Sequence, residues 1–352
     1  MSITHEDHAP ATAFPMAARG PLSAQLITAL SREPEASGCG PDLSSAVDAA
    51  LTGGASIVRD EDLQLSLFIL YGLHYGSFES VSAEWEWQPE LVAARRALER
   101  AFEDELRATV AVPPLPEPTR EAVAHALSAL TTADAGPSLS RYVAQKATRE
   151  QLGEFLIQRS VYTLREADPH SWAIPRLTGR AKAALVEIQA DEYGGGRPAR
   201  MHSEIFATTM ETFGLDRRYG RYVGDVPAIT LASLNVMSMF GLNRRLRGAV
   251  VGHLAAFEMT SSIPNGLYAR GFRRLGYDTG VTAYFDEHVA ADAVHEQIAA
   301  HDLAGALAED EPALLGDIFF GAAACLVVDG WAGEHMLDSW IADHSSLRSD
   351  TP

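Results

Sequence analysis

The chain has 352 residues, and 28 basic against 47 acidic side chains give it a formal net charge of −19 at pH 7. This acidic balance argues against nucleic acid or an anionic membrane as the main partner. Only two cysteines, Cys39 and Cys325, are present, which excludes a disulfide framework and a cluster of thiolate metal ligands.

The first 20 residues show no helical period, and we predict that they form a flexible tail. They carry His, Asp and Glu where a signal peptide would have a basic patch and an apolar block. No later apolar run approaches the roughly 20 residues that span a bilayer. The sequence therefore predicts a cytoplasmic protein without a membrane anchor.

Helical patterns follow one another from Pro21 onward, whereas no segment shows the alternation that is typical of a strand. We predict an all-α fold with an N-terminal helical region at 21–137, a second helical domain at 138–343 and a C-terminal tail at 344–352. The predicted helices lie at about 21–33, 42–52, 60–79, 89–110, 118–131, 138–165, 179–193, 198–214, 227–240, 243–262, 264–275, 278–300 and 311–341.

One predicted helix face carries a polar triplet. His288, Asp292 and His295 fall within about 60° of arc at helical spacing. Val281 and Tyr284 lie on the same stripe, so the triplet is expected to point inward. Burying these groups without partners would cost several kcal/mol, and a metal ion is the simplest shared partner. The alternative is a hydrogen-bonded network within the core.

Three further residues are candidate ligands. Glu192 lies on the apolar side of its helix, and the break Gly194–Gly196 lets the chain reverse so that His202 can face it. Glu258 is a lone carboxylate on an apolar face. For each Glu, a buried ion pair with an arginine is the alternative.

The combined set contains carboxylates and imidazoles but no thiolate, which suits non-haem iron or manganese. Six or more ligands suggest two metal ions, and carboxylates can bridge such a pair. Two ions together can hold the two ends of a small molecule, for iron most naturally O₂.

The order of these residues resembles that of the haem-oxygenase-like diiron oxidases. The resemblance is carried by the segment Leu185–Gly196, then His202, then Glu258-Met259-Thr260-Ser261, and then the triplet that starts at His288. The resemblance covers about residues 140–343 of this chain, and the family consists of iron-containing redox enzymes. It implies a haem-oxygenase-like bundle of about seven core helices and a site for two Fe ions. By resemblance, the ligands are Glu192, His202, Glu258, His288, Asp292 and His295.

A seventh ligand follows from the same resemblance. Family members that oxygenate amine or guanidine nitrogen have an extra Glu on the helix before the first ligand, and Glu166 stands at the corresponding position. The alternative is a helix-end carboxylate that pairs with Arg159 or Arg165. His170 and Tyr193 are expected to have structural roles.

The favoured function is a diiron oxidoreductase that uses O₂ as co-substrate to oxidise a small molecule. Glu166 favours N-oxygenation of an amino acid or amine. Desaturation, C–C cleavage or decarboxylation, a non-catalytic metal-binding protein and a haem-binding protein are the alternatives. No catalytic residue is predicted beyond the ligands. An external electron donor is an expected partner. The protein is also expected to form a homodimer, and residues 22–130 are one candidate surface for it. The remaining polar residues of the last helix are expected at the surface or at helix ends: Asp317, Asp329, Glu334 and His335.

Overall fold

The computed structural model describes residues 16–34, 43–54, 56–132 and 138–349, apart from the side chains of residues 290–294. These residues form helices, turns and loops, and no strand occurs among them. The predicted all-α fold is therefore confirmed. The chain forms two compact units, of which the first ends at Phe102 and the second begins at Glu103. The predicted division between 137 and 138 borders the undescribed residues 133–137 and stays a prediction.

The first unit is built around a helix that is buried along most of its length. This helix begins where the carboxylate of Asp60 accepts a hydrogen bond from the backbone N–H of Leu63 at 2.8 Å, and it ends at Gly76, whose φ is 60°. All residues from Leu63 to Gly72 are buried. The helices are α1 (Pro21–Leu30), α2 (Leu43–Leu51), α3 (Glu61–Tyr75) and α4 (Pro89–Thr109), which continues into the second unit.

The second unit contains the remaining helices and all of the candidate ligands. Its helices are α5 (Arg120–Thr131), α6 (Leu139–Gln145), α7 (Arg149–Thr163), α8 (Asp168–Ser171), α9 (Gly179–Glu192), α10 (His202–Phe213), α11 (Ala228–Leu242), α12 (Arg247–Arg274), α13 (Thr279–Gln297), α14 (Ala306–Asp310) and α15 (Leu315–Ile341). Between α13 and α14 the chain continues as wider π-helical turns at Ile298–Gly305.

Two predicted helix boundaries were wrong. The segment predicted as one helix at 138–165 is divided, because the Thr148 hydroxyl accepts from the N–H of Gln151 and the Gln151 side chain accepts from the N–H of Thr148. This reciprocal cap starts a new helix. Conversely, Pro264 does not end a helix but lies inside α12. A proline costs an internal helix about 3 kcal/mol, and the packing of α12 against α13 and α15 offsets that cost.

Helices α12 and α15 approach each other closely at two glycines. A Cβ atom on Gly252 would lie 1.8 Å from the carbonyl oxygen of Ile318, and one on Gly321 would lie 1.9 Å from that of Ala249. Neither position leaves room for a side chain. The contact sets the distance of α12, which carries Glu258, from α15.

Aromatic side chains form the core beneath α13. Phe272 stacks on Phe285 with ring centroids 5.2 Å apart, and Phe206 meets Tyr284 edge to face at 5.0 Å. Such pairs stabilise the core beyond the effect of burial alone. They fix the face of α13 on which His288 lies.

One described segment, Pro312–Ile341, is long and apolar enough to cross a membrane by its length and composition alone. Of its most apolar window, 61% is buried inside the protein. The packing of α15 against α11 and α12 accounts for this composition.

We expect Gly252→Ala to lower the free energy of unfolding by about 1–3 kcal/mol or more, because the added methyl group overlaps the backbone of α15. Chemical denaturation followed by circular dichroism measures the change. The matched control is Gly330→Ala on α15, where a Cβ atom meets nothing within 4 Å. That substitution should raise stability by about 0.5–1 kcal/mol. Equal stability of the two variants would contradict the close helix contact.

Candidate metal centre

Six of the seven predicted ligand residues come together in the second unit as two groups. In the first group, Glu166, Glu192, His202 and His288 each offer one ligand atom, and these atoms lie within 4.8 Å of one another. In the second group, the same condition holds for Glu192, Glu258 and His295. Glu192 belongs to both groups, and all six residues are buried. Their role as ligands stays a prediction.

Three of the six residues lie at the ends of helices. Glu166 follows α7 and precedes Ala167, whose φ of 75° is unusual for a residue other than glycine. Glu192 is the last residue of α9, and His202 is the first residue of α10. The chain reverses between them at Gly194, where a Cβ atom would lie 2.6 Å from the backbone nitrogen of Met201. The remaining predicted ligands, Glu258 and the two histidines of α13, project from within helices.

The contact between Glu192 and His202 is short but is not a hydrogen bond. Oε2 of Glu192 lies 2.8 Å from Nδ1 of His202, yet neither atom has a hydrogen-bond partner. Oε2 of Glu166 and Nδ1 of His295 are likewise buried without a hydrogen-bond partner. Buried polar atoms are normally hydrogen-bonded. Four unpartnered ligand atoms in one interior space fit a metal ion, and carboxylate with imidazole is a donor set that suits iron.

The orientation of His288 is set by its own helix. Nδ1 lies 2.8 Å from the carbonyl oxygen of Tyr284, so it carries the proton and donates to that oxygen. Nε2 lies 3.6 Å from Oε1 of Glu166, and in the neutral imidazole this nitrogen carries the lone pair. A backbone hydrogen bond on the other ring nitrogen is the usual way in which proteins orient a histidine ligand.

His295 has the same arrangement with a carboxylate as its outer partner. Nε2 lies 3.1 Å from Oδ2 of Asp191, to which it donates. Nδ1 points inward, 3.3 Å from Oε2 of Glu258 and 3.9 Å from Oε1 of Glu192. Asp191 is thus an outer partner that sequence reasoning missed, because only the packing of α9 against the π-helical turns that follow α13 brings it to His295.

Tyr284 was also missed as a polar contributor, since its position on the apolar stripe predicted a core aromatic residue. Its hydroxyl donates to Oε1 of Glu166 at 2.7 Å. Burial and the charge of Glu166 hold the pKa of Tyr284 well above its usual value, so the hydroxyl remains a donor. Arg165 pairs with Asp168 at 3.5 Å, and the guanidinium of Arg159 interacts with Tyr284.

Three carboxylates within one buried space repel each other. Burial, together with the charges of Glu166 and Glu258, holds the pKa of Glu192 well above its usual value. Burial alone would lower the pKa of His295, but its contacts with Glu258 and Asp191 raise it to about 9. Protonated imidazoles or metal cations can both offset such crowding. Cations are therefore favoured at this site.

Asp292 falls among the side chains that the structure does not describe, so its predicted ligand role stays a prediction. His170 is buried as expected, and its Nε2 lies 3.1 Å from Nδ1 of His253. Asp329, predicted at the surface or at a helix end, is instead half-buried and lines a cavity. The prediction was wrong because the face of α15 that carries Asp329 turns towards that cavity.

This cavity has a volume of about 680 Å³ and reaches the centre at Glu166, Tyr284 and His288. Its size lies within the range of small-molecule sites in proteins. A small molecule in the cavity would therefore meet one side of the first ligand group.

This chain is an all-α bundle that buries carboxylates and imidazoles around a common space. These features are typical of helical proteins that bind metal ions. Residues 153–330 match the family described as iron-containing redox enzymes, and the chain belongs to that family. The predicted haem-oxygenase-like fold is thereby confirmed, and so is membership of the family that the sequence resembles.

Nitrosourea synthase from Streptomyces achromogenes subsp. streptozoticus is 29% identical over 166 residues. The match covers 46% of this chain and 35% of that protein, so this chain spans only about a third of the relative's length.

Among solved structures, a CADD-like protein of unknown function from Nostoc punctiforme aligns with a TM-score of 0.50 and 16% identity, over 62% of this chain and 97% of that one. It shares the fold. A second structure of the Nostoc protein aligns with a TM-score of 0.49 and 15% identity, over 64% of this chain and 96% of that one.

We expect His288→Ala to abolish the loading of at least one iron ion, because the first group loses an imidazole whose lone pair faces Glu166. Anaerobic loading with Fe(II), desalting and elemental analysis give the iron content per chain. The control is Glu287→Ala, the next residue on α13, whose side chain is 44% exposed. Equal iron loss from both variants would mean that the wrong face of α13 was assigned to the site.

Asp191→Ala should weaken iron binding roughly 10-fold to 100-fold, because His295 loses the carboxylate that orients it. Competition with a chromogenic chelator measures the affinity. Glu187→Ala, at another exposed carboxylate of α9, should bind iron like the unmodified protein. Because the Asp191 side chain is 66% exposed, its removal is not expected to unfold the protein. Unchanged affinity would exclude Asp191 as an orienting partner.

Proposed function

We propose that this chain is a non-haem diiron oxidase or oxygenase that uses O₂ to oxidise a small molecule, with N-oxygenation of an amino acid or amine as the favoured reaction. The observation that carries the proposal is the pair of buried ligand groups that share Glu192. A carboxylate has two oxygen atoms and can bind two neighbouring metal ions at once, as in helical bundles with two-metal carboxylate sites. Membership of the iron-containing redox enzymes supports iron as the metal.

The residues of the chain have separable roles in this proposal. The two groups named above would hold the metal, and iron bound there would supply the electrons for the reduction of O₂. Asp191 and the carbonyl oxygen of Tyr284 orient the two histidines of α13 by accepting their outer N–H groups. The hydroxyl oxygen of Tyr284 lies 2.7 Å from Oε1 of Glu166, and the hydroxyl proton lies between the two oxygen atoms.

Water exclusion depends on the rings around the centre. Tyr162 and Phe257 pack edge to face at 5.4 Å, and both line the cavity where it meets Glu166. In such an apolar setting charges interact more strongly than in water. These side chains keep the ligand groups away from bulk solvent.

Two observations favour a nitrogen atom as the site of oxidation. Glu166 lies within the first ligand group, where an added carboxylate was predicted from nitrogen-oxygenating relatives. The name of nitrosourea synthase denotes a product with an oxidised nitrogen. At 29% identity over part of that protein, the reaction itself is carried over only as a proposal. An external electron donor that returns the iron to the reduced state belongs to the same proposal, whereas a homodimer stays a prediction.

Anaerobic loading with Fe(II), followed by metal counting and rapid mixing with O₂, tests the proposal. We expect two iron ions per chain and uptake of O₂ faster than by the same concentration of free Fe(II). The unloaded protein is the blank. Fewer than two iron ions would contradict a diiron site, and bound iron without faster O₂ uptake would indicate a non-catalytic metal-binding protein.

Glu166→Gln should lower the iron content and slow O₂ uptake, because the amide is a weaker ligand that keeps the hydrogen bond from Tyr284. The same loading and mixing experiment measures both effects. Glu150→Gln, at an exposed carboxylate of α7, is the control and should behave like the unmodified protein. Unchanged iron content and unchanged O₂ uptake in Glu166→Gln would remove this residue from the ligands.

A further inference from the structure

The cavity beside the metal centre has mostly apolar walls, and beyond Glu166 and His288 its charged side chains are Arg159, Asp329 and the exposed Glu334. It extends from Glu166 and His288 to residues of α15 within the second unit. A cavity of this kind usually binds a molecule through a few polar groups that orient it. The apolar walls include Phe155, Leu234, Met237, Phe257 and Tyr268.

The positive charge belongs to Arg159 on α7. Its Cζ atom lies 5.6 Å from the ring centroid of Phe155 and 5.9 Å from that of Tyr268, so the guanidinium is held between aromatic side chains. Its Nε atom is buried without a hydrogen-bond partner. Within the described part of the chain, no carboxylate forms an ion pair with it. The charge of Glu166 and the hydroxyl of Tyr284 act on the guanidinium from the side of the metal centre.

The half-buried negative charge belongs to Asp329 on α15. Its Oδ1 atom accepts a hydrogen bond from the Ser233 hydroxyl, and its Oδ2 atom lies 3.9 Å from Sγ of Cys325. No cationic side chain among the described residues forms an ion pair with it. Burial raises the pKa of Asp329, and the hydrogen bond from Ser233 and the charge of Arg159 act in the opposite direction.

Arg159 and Asp329 both line the cavity, and no ion pair joins the two side chains. Charged groups that are partly removed from water are costly unless a partner of opposite sign and hydrogen bonds replace the lost hydration. A ligand that carries both a negative and a positive group would give each of these two side chains a partner of opposite charge.

We propose that Arg159 and Asp329 bind the carboxylate and the ammonium group of a small zwitterion, an amino acid. The guanidinium presents two parallel N–H donors to the carboxylate, which is the arrangement that favours arginine at such sites. The carboxylate of Asp329 accepts from the ammonium group. The rest of the ligand extends along the apolar wall towards Glu166 and His288. This orientation, with its reacting end at the metal ligands, rests on the proposed function, whereas binding itself does not.

Equilibrium dialysis of the purified full-length protein without O₂, against a pool of the twenty proteinogenic L-amino acids, tests the proposal, with mass spectrometry to identify what is retained. We expect at least one amino acid to be retained. Its decarboxylated amine and its analogue without the α-amino group should each bind at least roughly tenfold more weakly, since each lacks one charge-assisted contact. These comparisons use the unmodified protein, so they do not depend on whether a variant folds.

Variants assign the contacts to residues. Arg159→Gln and Asp329→Asn should each weaken retention at least roughly tenfold. Arg159→Lys should keep part of the retention, because lysine has the positive charge but lacks the two parallel N–H donors of the guanidinium. The controls are Arg149→Gln on α7 and Asp338→Asn on α15, both at exposed positions of the same helices. They should retain the amino acid like the unmodified protein.

Three results would overturn the proposal: retention of no amino acid, equal retention of the amine or of the carboxylate analogue, and retention that is unchanged in both Arg159→Gln and Asp329→Asn. Because dialysis needs neither iron nor O₂, its outcome is separate from that of the proposed function. Retention of an amino acid without O₂ uptake would support the binding site and contradict the proposed oxidase. O₂ uptake without retention would support the oxidase and contradict the binding site.

Discussion

Three carboxylates share one buried space in this protein, and their mutual repulsion is the constraint on which the site depends. Glu166, Glu192 and Glu258 reach that space from different parts of the chain. Positive charge must lie among them, because buried acids of like charge cannot all remain ionised without it. The imidazoles that stand between them can carry protons or bind cations. This balance is what makes the centre suited to metal.

Orientation of the imidazoles is the second requirement. Each histidine of α13 gives its outer N–H to a fixed acceptor, a backbone carbonyl for His288 and the exposed carboxylate of Asp191 for His295. The inner nitrogen of each ring faces the carboxylates, where it can hold a proton or, once neutral, offer its lone pair to a cation. The acceptors are held by packing elsewhere, by the aromatic core beneath α13 and by the helices that flank the π-helical turns. Ligand geometry is thus maintained by parts of the fold that do not touch the centre.

The cavity beside the predicted metal ligands also contains charged side chains that need partners of opposite charge. Arg159 and Asp329 are half-buried beside the cavity, and no ion pair joins them. A protein that only needed stability would be better served by apolar residues of similar volume, because replacing buried charges in this way is often stabilising. Their presence is therefore better explained by a ligand than by the fold. Tyr284 links this charged part of the cavity to Glu166 through its hydroxyl.

Local sequence pattern determined the helical class, most helix positions and the residue types of the centre, because apolar periodicity reports which face of a helix is buried and a polar residue on that face needs a partner. It also placed Glu166, Glu192 and His202 near helix ends through the adjacent proline and glycines. Only tertiary structure decided that Pro264 lies inside a continuous helix, that Asp191 orients His295 and that Asp329 faces inward. Each of these depends on contacts between residues far apart in the chain, whose energies exceed local preferences and leave no trace in local spacing.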